Sequence, residues 1–354
     1  MQHKQTLDHL HTQDALRKPS DSHHTLSDDS SYGVHDFSVV PDLESIPRVD
    51  VEMATEALPH LLARDQSSFK LGSITSLAPP KPVPDDTSKF LITDEQNKPC
   101  FVMTASWCGI ENNLVSLGVN AIAKVSKILE DDVAPAVLQP VSSKTISNFV
   151  YALWPYATPL REKQPFRTWD RIKLRRWGAW WLEALTRQTL RLMPECDQDE
   201  YLTQPLNRIV EDTGFDSRLR DLARQAIQEA NDQRWRPYYV LMHNDLWMGN
   251  WLHAPKSLRR KTKFVIIDWP GMLADGYPIF DIARFSESMN IRPRAFHRTI
   301  SAHANMLSCS VAQTRYHLLV AAGYIGLHLN HFKEENYRHT VNICMAKLDQ
   351  AIDE

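Results

Sequence analysis

Tyr238-Tyr239-Val240-Leu241-Met242-His243-Asn244-Asp245-Leu246-Trp247-Met248-Gly249-Asn250 is the stretch on which the reading of this chain turns. Five apolar residues lead into the pattern His-x-Asp-x-x-x-x-Asn. Ile267, seventeen residues beyond Asn250, ends a second apolar run, Phe264-Val265-Ile266-Ile267, and is followed by Asp268 and Trp269. A short buried strand before each acidic residue is the expected local structure. Between them, Trp251-Leu252-His253 and residues 263–267 predict a hairpin closed around 254–262, which returns Asp268 to the neighbourhood of Asn250.

Two carboxylates and an amide at this spacing suit phosphoryl transfer, where the protein aligns a hydroxyl with a phosphate and neutralises negative charge. Asp245 is the candidate base for the hydroxyl proton. Asn250 and Asp268 are candidate ligands of Mg2+, which takes oxygen donors and needs few of them from protein. His243, two residues before Asp245, is expected to be a buried imidazole bonded to the backbone near Asp268. Trp247 and Trp251 are expected to pack. A metal-dependent hydrolase would use similar carboxylates but generally adds His ligands, which are missing here.

With these residues in view, the segment 243–250 resembles the catalytic loop of the aminoglycoside phosphotransferase and choline kinase group, within the protein-kinase-like fold. The form Asp245-Leu246-Trp247 is also similar to fructosamine kinases, and bacterial lipopolysaccharide core kinases share much of the pattern. Ile267-Asp268-Trp269 resembles the group's metal-binding Ile-Asp-Trp, and residues 276–283 resemble its Gly-x-Pro-x-x-Asp-Leu-Ala. The resemblance implies ATP and Mg2+ as cofactors, transfer of the γ-phosphate to a hydroxyl acceptor, and a role for Asp281 in bracing the catalytic loop from the start of a helix. It covers residues 238–285 closely and the flanks only in order and kind.

The expected fold is α+β and bilobal, with a small β-rich N-lobe over residues 49–156 and a larger, mainly helical C-lobe over 157–354. Strands are predicted over 69–76, 90–93, 101–104, 136–138 and 149–154, with a turn at 94–99 and a stiff proline run at 79–84. Helices are predicted over 113–129, 217–231, 315–332 and 337–352. Trp169, Ile172, Trp177, Trp180, Trp181 and Leu185 recur at helical spacing and are expected in the core. Residues 1–48 are polar and predict a disordered tail; His3, His9, His11, His23, His24 and His35 leave transition-metal binding open there.

The small lobe departs from the pattern. The resemblance calls for a lysine in the third strand, where Met103 or Thr104 stands, and for a glutamate on the next helix, which offers Glu111 early and Asn120 near the expected place. Lys70, Lys89 and Lys98 are candidates to replace the charge from another strand, and Gly72 is a lone glycine where a phosphate-covering loop is expected. The alternative to an active kinase is therefore a pseudokinase, a nucleotide-binding or regulatory module without turnover.

A formal net charge of −3 argues against a nucleic-acid binder. The five cysteines are scattered, odd in number and free of metal-ligand spacing, as in a reducing compartment. No apolar run is long enough to cross a membrane, no secretory signal is recognisable, and the expected localisation is cytoplasmic. Two basic stretches, one over 161–176 and one over 256–263, are candidates for contact with an anionic membrane surface. The residues after Asp281 show few acids for a cationic acceptor, so a sugar or glycolipid hydroxyl is the preferred substrate.

Overall fold

A computed structural model describes residues 47–62, 69–77, 87–109, 113–130, 132–329 and 332–354. The polar tail, the proline run and Glu111 thus lie outside the described residues, apart from Pro47 and Arg48. Everything below falls within one unit, Pro41–Glu354.

The N-terminal part is a five-stranded antiparallel sheet. Its strands are β1 (Leu71–Ser76), β2 (Ser88–Asp94), β3 (Pro99–Trp107), β4 (Ser142–Ile146) and β5 (Phe149–Pro155), in the order β1-β2-β3-β5-β4. Side-chain alternation divides the sheet into two working faces. Phe90, Ile92, Met103, Ala105, Phe149, Tyr151 and Leu153 point to one face and are buried against helix α1 (Val51–Leu61). Asp50 caps that helix by accepting from the Met53 amide. The other face carries Leu91, Val102, Thr104, Ser106 and Trp154 and turns toward helix α2 (Leu114–Ile128). Asn113 caps α2 through the Ser116 amide and takes the Ser106 hydroxyl at 2.8 Å, fastening the helix to β3.

The chain leaves β5 through β6 (Thr158–Pro159) and enters the long helix α3 (Phe166–Thr189). After β7 (Arg191–Leu192) come α4 (Gln204–Glu211) and α5 (Ser217–Asn231), the latter capped by Asp216. Strands β8 (Tyr238–Met242), β9 (Trp251–His253), β10 (Phe264–Ile266) and β11 (Leu273–Gly276) carry the two motifs. Helices α6 (Phe280–Ser288), α7 (Pro293–Met306), α8 (Thr314–Leu327) and α9 (Glu334–Ile352) complete the chain. The core beneath the motifs is aromatic: Trp181, Trp251, Phe264 and Phe285 are buried, and Trp177 meets both Trp251 and Phe264 within 5.7 Å. The architecture is the α+β, two-part arrangement expected.

Several local expectations need correction. Residues 136–138 do not form a strand: Ala134–Ala136 is a 3-10 turn, and Val137 makes only a single bridge to Ile266. Pro135 and Pro140 flank the segment and lack the N–H groups that a ladder needs. Helix α8 stops at Leu327 rather than 332, and α9 starts at Glu334 rather than 337. Helix α1 and strand β4 were not foreseen: α1 buries Ala54, Ala57, Leu58 and Leu61 at helical spacing but contains Pro59, and β4 is largely polar. The core assignment on α3 holds for Trp181 and Leu185, while Trp169, Ile172 and Trp180 are 58%, 43% and 45% exposed.

Candidate active site

Strand β8 is buried along most of its length, and it delivers His243 to the base of the C-terminal part. His243 is itself buried, with Nε2 3.0 Å from the carbonyl of Ile267 and Nδ1 3.4 Å from the Asp245 amide. This pairing fits one neutral tautomer, with Nε2–H donating and Nδ1 accepting. Burial pushes its pKa down to about 4, against the Ile267 bond and the charge of Asp268, so the ring is uncharged near neutrality and keeps its single N–H for the Ile267 carbonyl. The ring ties the first motif to the second.

Asp281 performs the matching task from the first turn of α6. It is buried, and its carboxylate accepts from the amides of His243 at 2.5 Å and Asn244 at 3.1 Å. Burial raises its pKa to about 7, against the backbone N–H groups that support the charge. The turn that places it is strained: Ile279, immediately before α6, has φ 77°, a region that β-branched residues avoid. Asn244 and Asp268 also have positive φ, 72° and 68°, conformations that Asn and Asp tolerate through their short polar side chains.

Between these anchors, Asn250 donates through Nδ2 to the Asp245 carbonyl at 2.8 Å and reaches the Asp245 carboxylate at 3.5 Å. The Ile267 amide donates to the Asn250 carbonyl at 3.1 Å, and β9 and β10 pair Ile266 with Trp251. The hairpin predicted from sequence thus brings Asp245, Asn250 and Asp268 to one locality. Burial raises the Asp245 pKa to about 6 and the neighbouring Asp268 charge adds to it, while Arg284, with its guanidinium 3.7 Å away, and Asn250 oppose. Asp245 remains 56% exposed at its side chain, so burial acts from the protein side while the other side stays open.

Sequence reasoning did not find Arg284, which lies on α6 three residues past Asp281. It also sent Trp247 to the core, whereas that indole is 42% exposed. A side chain at Gly249 would collide with the Trp247 ring at 2.4 Å, so the glycine lets the ring lie over the loop. Trp251 is buried as expected.

In the small lobe the candidates separate. Lys70 pairs with Glu95 at 3.7 Å beside the β2–β3 turn. Gly72 lies inside β1 at a register shift, where a Cβ would meet the Asp94 carbonyl at 1.9 Å; close backbone approach accounts for the glycine. Neither sits in the β1–β2 connection. Lys89 does stand beside it, and β2 sets Lys89 directly opposite Thr104 of β3. Directly opposed residues share a face, so Lys89 lies on the α2 side of the sheet, next to the place where a lysine was expected. Thr104 itself is held by the Trp154 indole, 3.0 Å from its hydroxyl. Helix α2 carries no acidic residue, and Asn120 is exposed. Gly118 of α2 sits against Pro270, two residues past Asp268, which brings this helix onto the second motif.

Residues 109–308, more than half of the chain, match the model of the phosphotransferase enzyme family. The chain belongs to this family. It is accordingly an enzyme of the kinase type, a phosphotransferase. No curated protein matches it. Among solved structures it is similar to the choline kinase LicA from Streptococcus pneumoniae, at 11% identity, covering 86% of this chain and 100% of that one with a TM-score of 0.46. Spectinomycin phosphotransferase APH(9)-Ia, solved with ADP and spectinomycin, is similar at 13% identity, with 85% and 99% coverage and a TM-score of 0.43. The aminoglycoside phosphotransferase APH(3'')-Id from Streptomyces rimosus, solved with ADP and streptomycin, gives 12% identity, 82% and 97% coverage and a TM-score of 0.39.

Within this phosphotransferase the candidate donors at the motifs are oxygens, the Asn250 amide and the Asp268 carboxylate, with the Asp245 carboxylate beside them. No group of three His, Cys, Asp or Glu side chains gathers elsewhere among the described residues. Such a sparse, hard donor set fits magnesium, whose remaining positions are filled by phosphates and water, and does not fit zinc. Among the described residues no helix is long and apolar enough to cross a membrane.

The raised pKa values carry a signed prediction. A carboxylate whose folded pKa lies above its ordinary 3.8 favours the folded state in its protonated form. That contribution is fully present below 3.8 and is lost as pH rises through about 6 for Asp245 and about 7 for Asp281. If Asp245 acts as a base, kcat/KM falls on the acid side with an apparent pKa near 6. Replacing Arg284 with Gln removes a charge that lowers this pKa, and the acid limb moves to higher pH. A pH–rate profile of both proteins checks this; an unmoved limb contradicts the assignment.

Proposed function

We propose that the protein transfers the γ-phosphate of ATP, with magnesium, to a hydroxyl on a sugar or glycolipid. The observation that carries this reading is the joining of Asp245, Asn250 and Asp268 through Asn250 and the β9–β10 hairpin. Asp245 orients the acceptor hydroxyl and receives its proton. Arg284 holds the Asp245 carboxylate ionised and in place at the start of the cycle. Asn250 spends its amide nitrogen on Asp245, so its amide oxygen is the atom offered to a cation, with Asp268 completing the protein's share. Bound there, magnesium neutralises phosphate charge. His243 and Asp281 act through the backbone, keeping the loop shaped.

The charge missing from β3 is assigned to Lys89. It reaches the phosphates from β2, beside the β1–β2 connection, while Trp154 keeps Thr104 occupied. The pseudokinase reading draws on the same substitution at Thr104, and one experiment separates them. Lys89→Met is expected to lower kcat/KM about 10²-fold or more, and adding Thr104→Lys to it recovers part of the loss. ADP formation from ATP, measured with magnesium and a panel of sugar acceptors against a control without acceptor, reads both. Unchanged turnover in Lys89→Met removes the lysine from the site; no turnover in the parent protein with any acceptor favours a scaffold.

The acceptor class follows from charge. Of the acids after Asp281, Glu334 is engaged by Arg208 and Arg338, and Glu287 lies 3.9 Å from Arg284. Little free negative charge is left to receive a cationic acceptor. The exposed Trp247 beside Asp245 offers a flat apolar surface, better matched to a neutral ring.

A further inference from the structure

Helix α3 carries large apolar residues on both of its sides. Its inner side buries Leu174, Trp181, Leu182 and Leu185, and its outer side sets aromatic residues among charged ones. Phe166, Trp169, Ile172 and Trp180 are 51%, 58%, 43% and 45% exposed. At 100° per residue, Trp169, Ile172, Lys173, Arg176 and Trp180 fall within one sector of about 100°, opposite the buried residues. From Phe166 to Trp180 the stripe runs about 21 Å. Single exposed apolar residues need no explanation, but a contiguous stripe on one face does.

The exposed charge of this face is mainly basic. Lys173 and Arg176 lie within the sector and are exposed, and Glu183, also within it, is paired with Arg187 at 2.6 Å. Lys163 and Arg167 are exposed around the start of the helix. Asp170 is the one acid between residues 163 and 182. It is 1% exposed and consumed by Arg161, at 2.6 and 2.9 Å, and by His253 at 3.0 Å. That buried cluster ties α3 to the β9–β10 hairpin, as do the ring contacts of Trp177 with Trp251 and Phe264. The loop of the same hairpin exposes Lys256, Arg259, Arg260, Lys261 and Lys263. The aromatic stripe is therefore rigidly mounted, and both basic stretches belong to elements that pack on each other.

We propose that the outer face of α3 docks on the surface of an anionic lipid bilayer, with Trp169, Ile172 and Trp180 at the headgroup level and Lys173 and Arg176 between the lipid phosphates. A helix flank is convex, so it offers no groove for a peptide, whereas a deformable interface accepts a ridge. Tryptophan favours that interface because its ring is apolar with one polar edge. Basic residues interleaved with aromatic ones add attraction to negative headgroups. The proposal stands independently of the phosphotransferase reading, since it concerns a different surface and a readout without turnover.

The test is sedimentation of the full-length protein with vesicles of phosphatidylcholine, with and without phosphatidylserine, at low and high salt. The expected result is binding to the anionic vesicles at low salt, weakened by salt and by removal of phosphatidylserine. Lys173→Gln with Arg176→Gln is expected to weaken partition about 30-fold. Trp169→Ala with Trp180→Ala is expected to weaken it at least tenfold, roughly, with an unchanged Tm showing that the fold is intact. No sedimentation with anionic vesicles at low salt overturns the proposal, as does binding that neither double variant reduces. A concentration-dependent dimer that the Trp double variant abolishes, without vesicle binding, assigns the face to a second copy of the chain instead.

Discussion

Asp245→Asn is expected to lower kcat by about 10²–10⁴-fold while leaving the affinity for ATP with magnesium nearly unchanged. The amide keeps the volume and the contact with Asn250, but it cannot take a proton. The same substitution removes a carboxylate that desolvation and Asp268 disfavour in the folded state. The variant is therefore expected to melt at a higher temperature than the parent at pH 8, and the difference shrinks as pH falls below about 6, where the parent's carboxyl is itself protonated. Loss of activity paired with a gain in Tm is the signature of a residue kept for chemistry at a cost to stability. Full activity in this variant rules out Asp245 as the base.

Asp268→Asn is expected to act earlier in the cycle. With one carboxylate gone from an already sparse donor set, magnesium is held poorly, and kcat/KM falls about 10²-fold or more. Unlike Asp245→Asn, this variant also loses the part of ATP binding that depends on the metal. Kinetics with excess magnesium recover some of the loss if the defect is affinity. The two substitutions thus separate by binding: ATP with magnesium still protects the first variant against heat and fails to protect the second. Equal protection of both contradicts the division of labour between the two carboxylates.

The large-lobe motifs were legible because strand, polar residue and spacing repeat the same message at several levels. An apolar run ends on His243, another ends on Asp268, and the segment between has hairpin composition. Helix α5 was predicted at its observed limits, Ser217–Asn231, because its cap, its periodicity and its polar flanks agree. Residues 136–138 looked like a strand because periodicity cannot tell a three-residue apolar run from a turn, and the prolines decide it. Trp169 and Trp180 misled for the opposite reason. Helical spacing marks residues on a common face but does not say whether that face is inside, and here the aromatic stripe opposite the core is the exposed one. Lys89 became a specific candidate only through register, since its neighbour Thr104 is fifteen residues away in sequence and opposite in the sheet. Arg284 carried no signal at all, because its meaning depends on α6 passing beside Asp245.

On the reading proposed above, Asp245, Asn250 and Asp268 serve a single magnesium ion and its triphosphate. Thermal denaturation of the unmodified protein with ATP, with ATP and magnesium, and with ATP and a chelator tests it most directly. Ligand at about a hundred times its Kd adds about 2.7 kcal/mol to folding stability, a rise of several degrees for a chain of this size. That rise is expected with ATP and magnesium together, and little or none once the metal is chelated. A rise of the same size with and without chelator, or no rise in any condition, contradicts it.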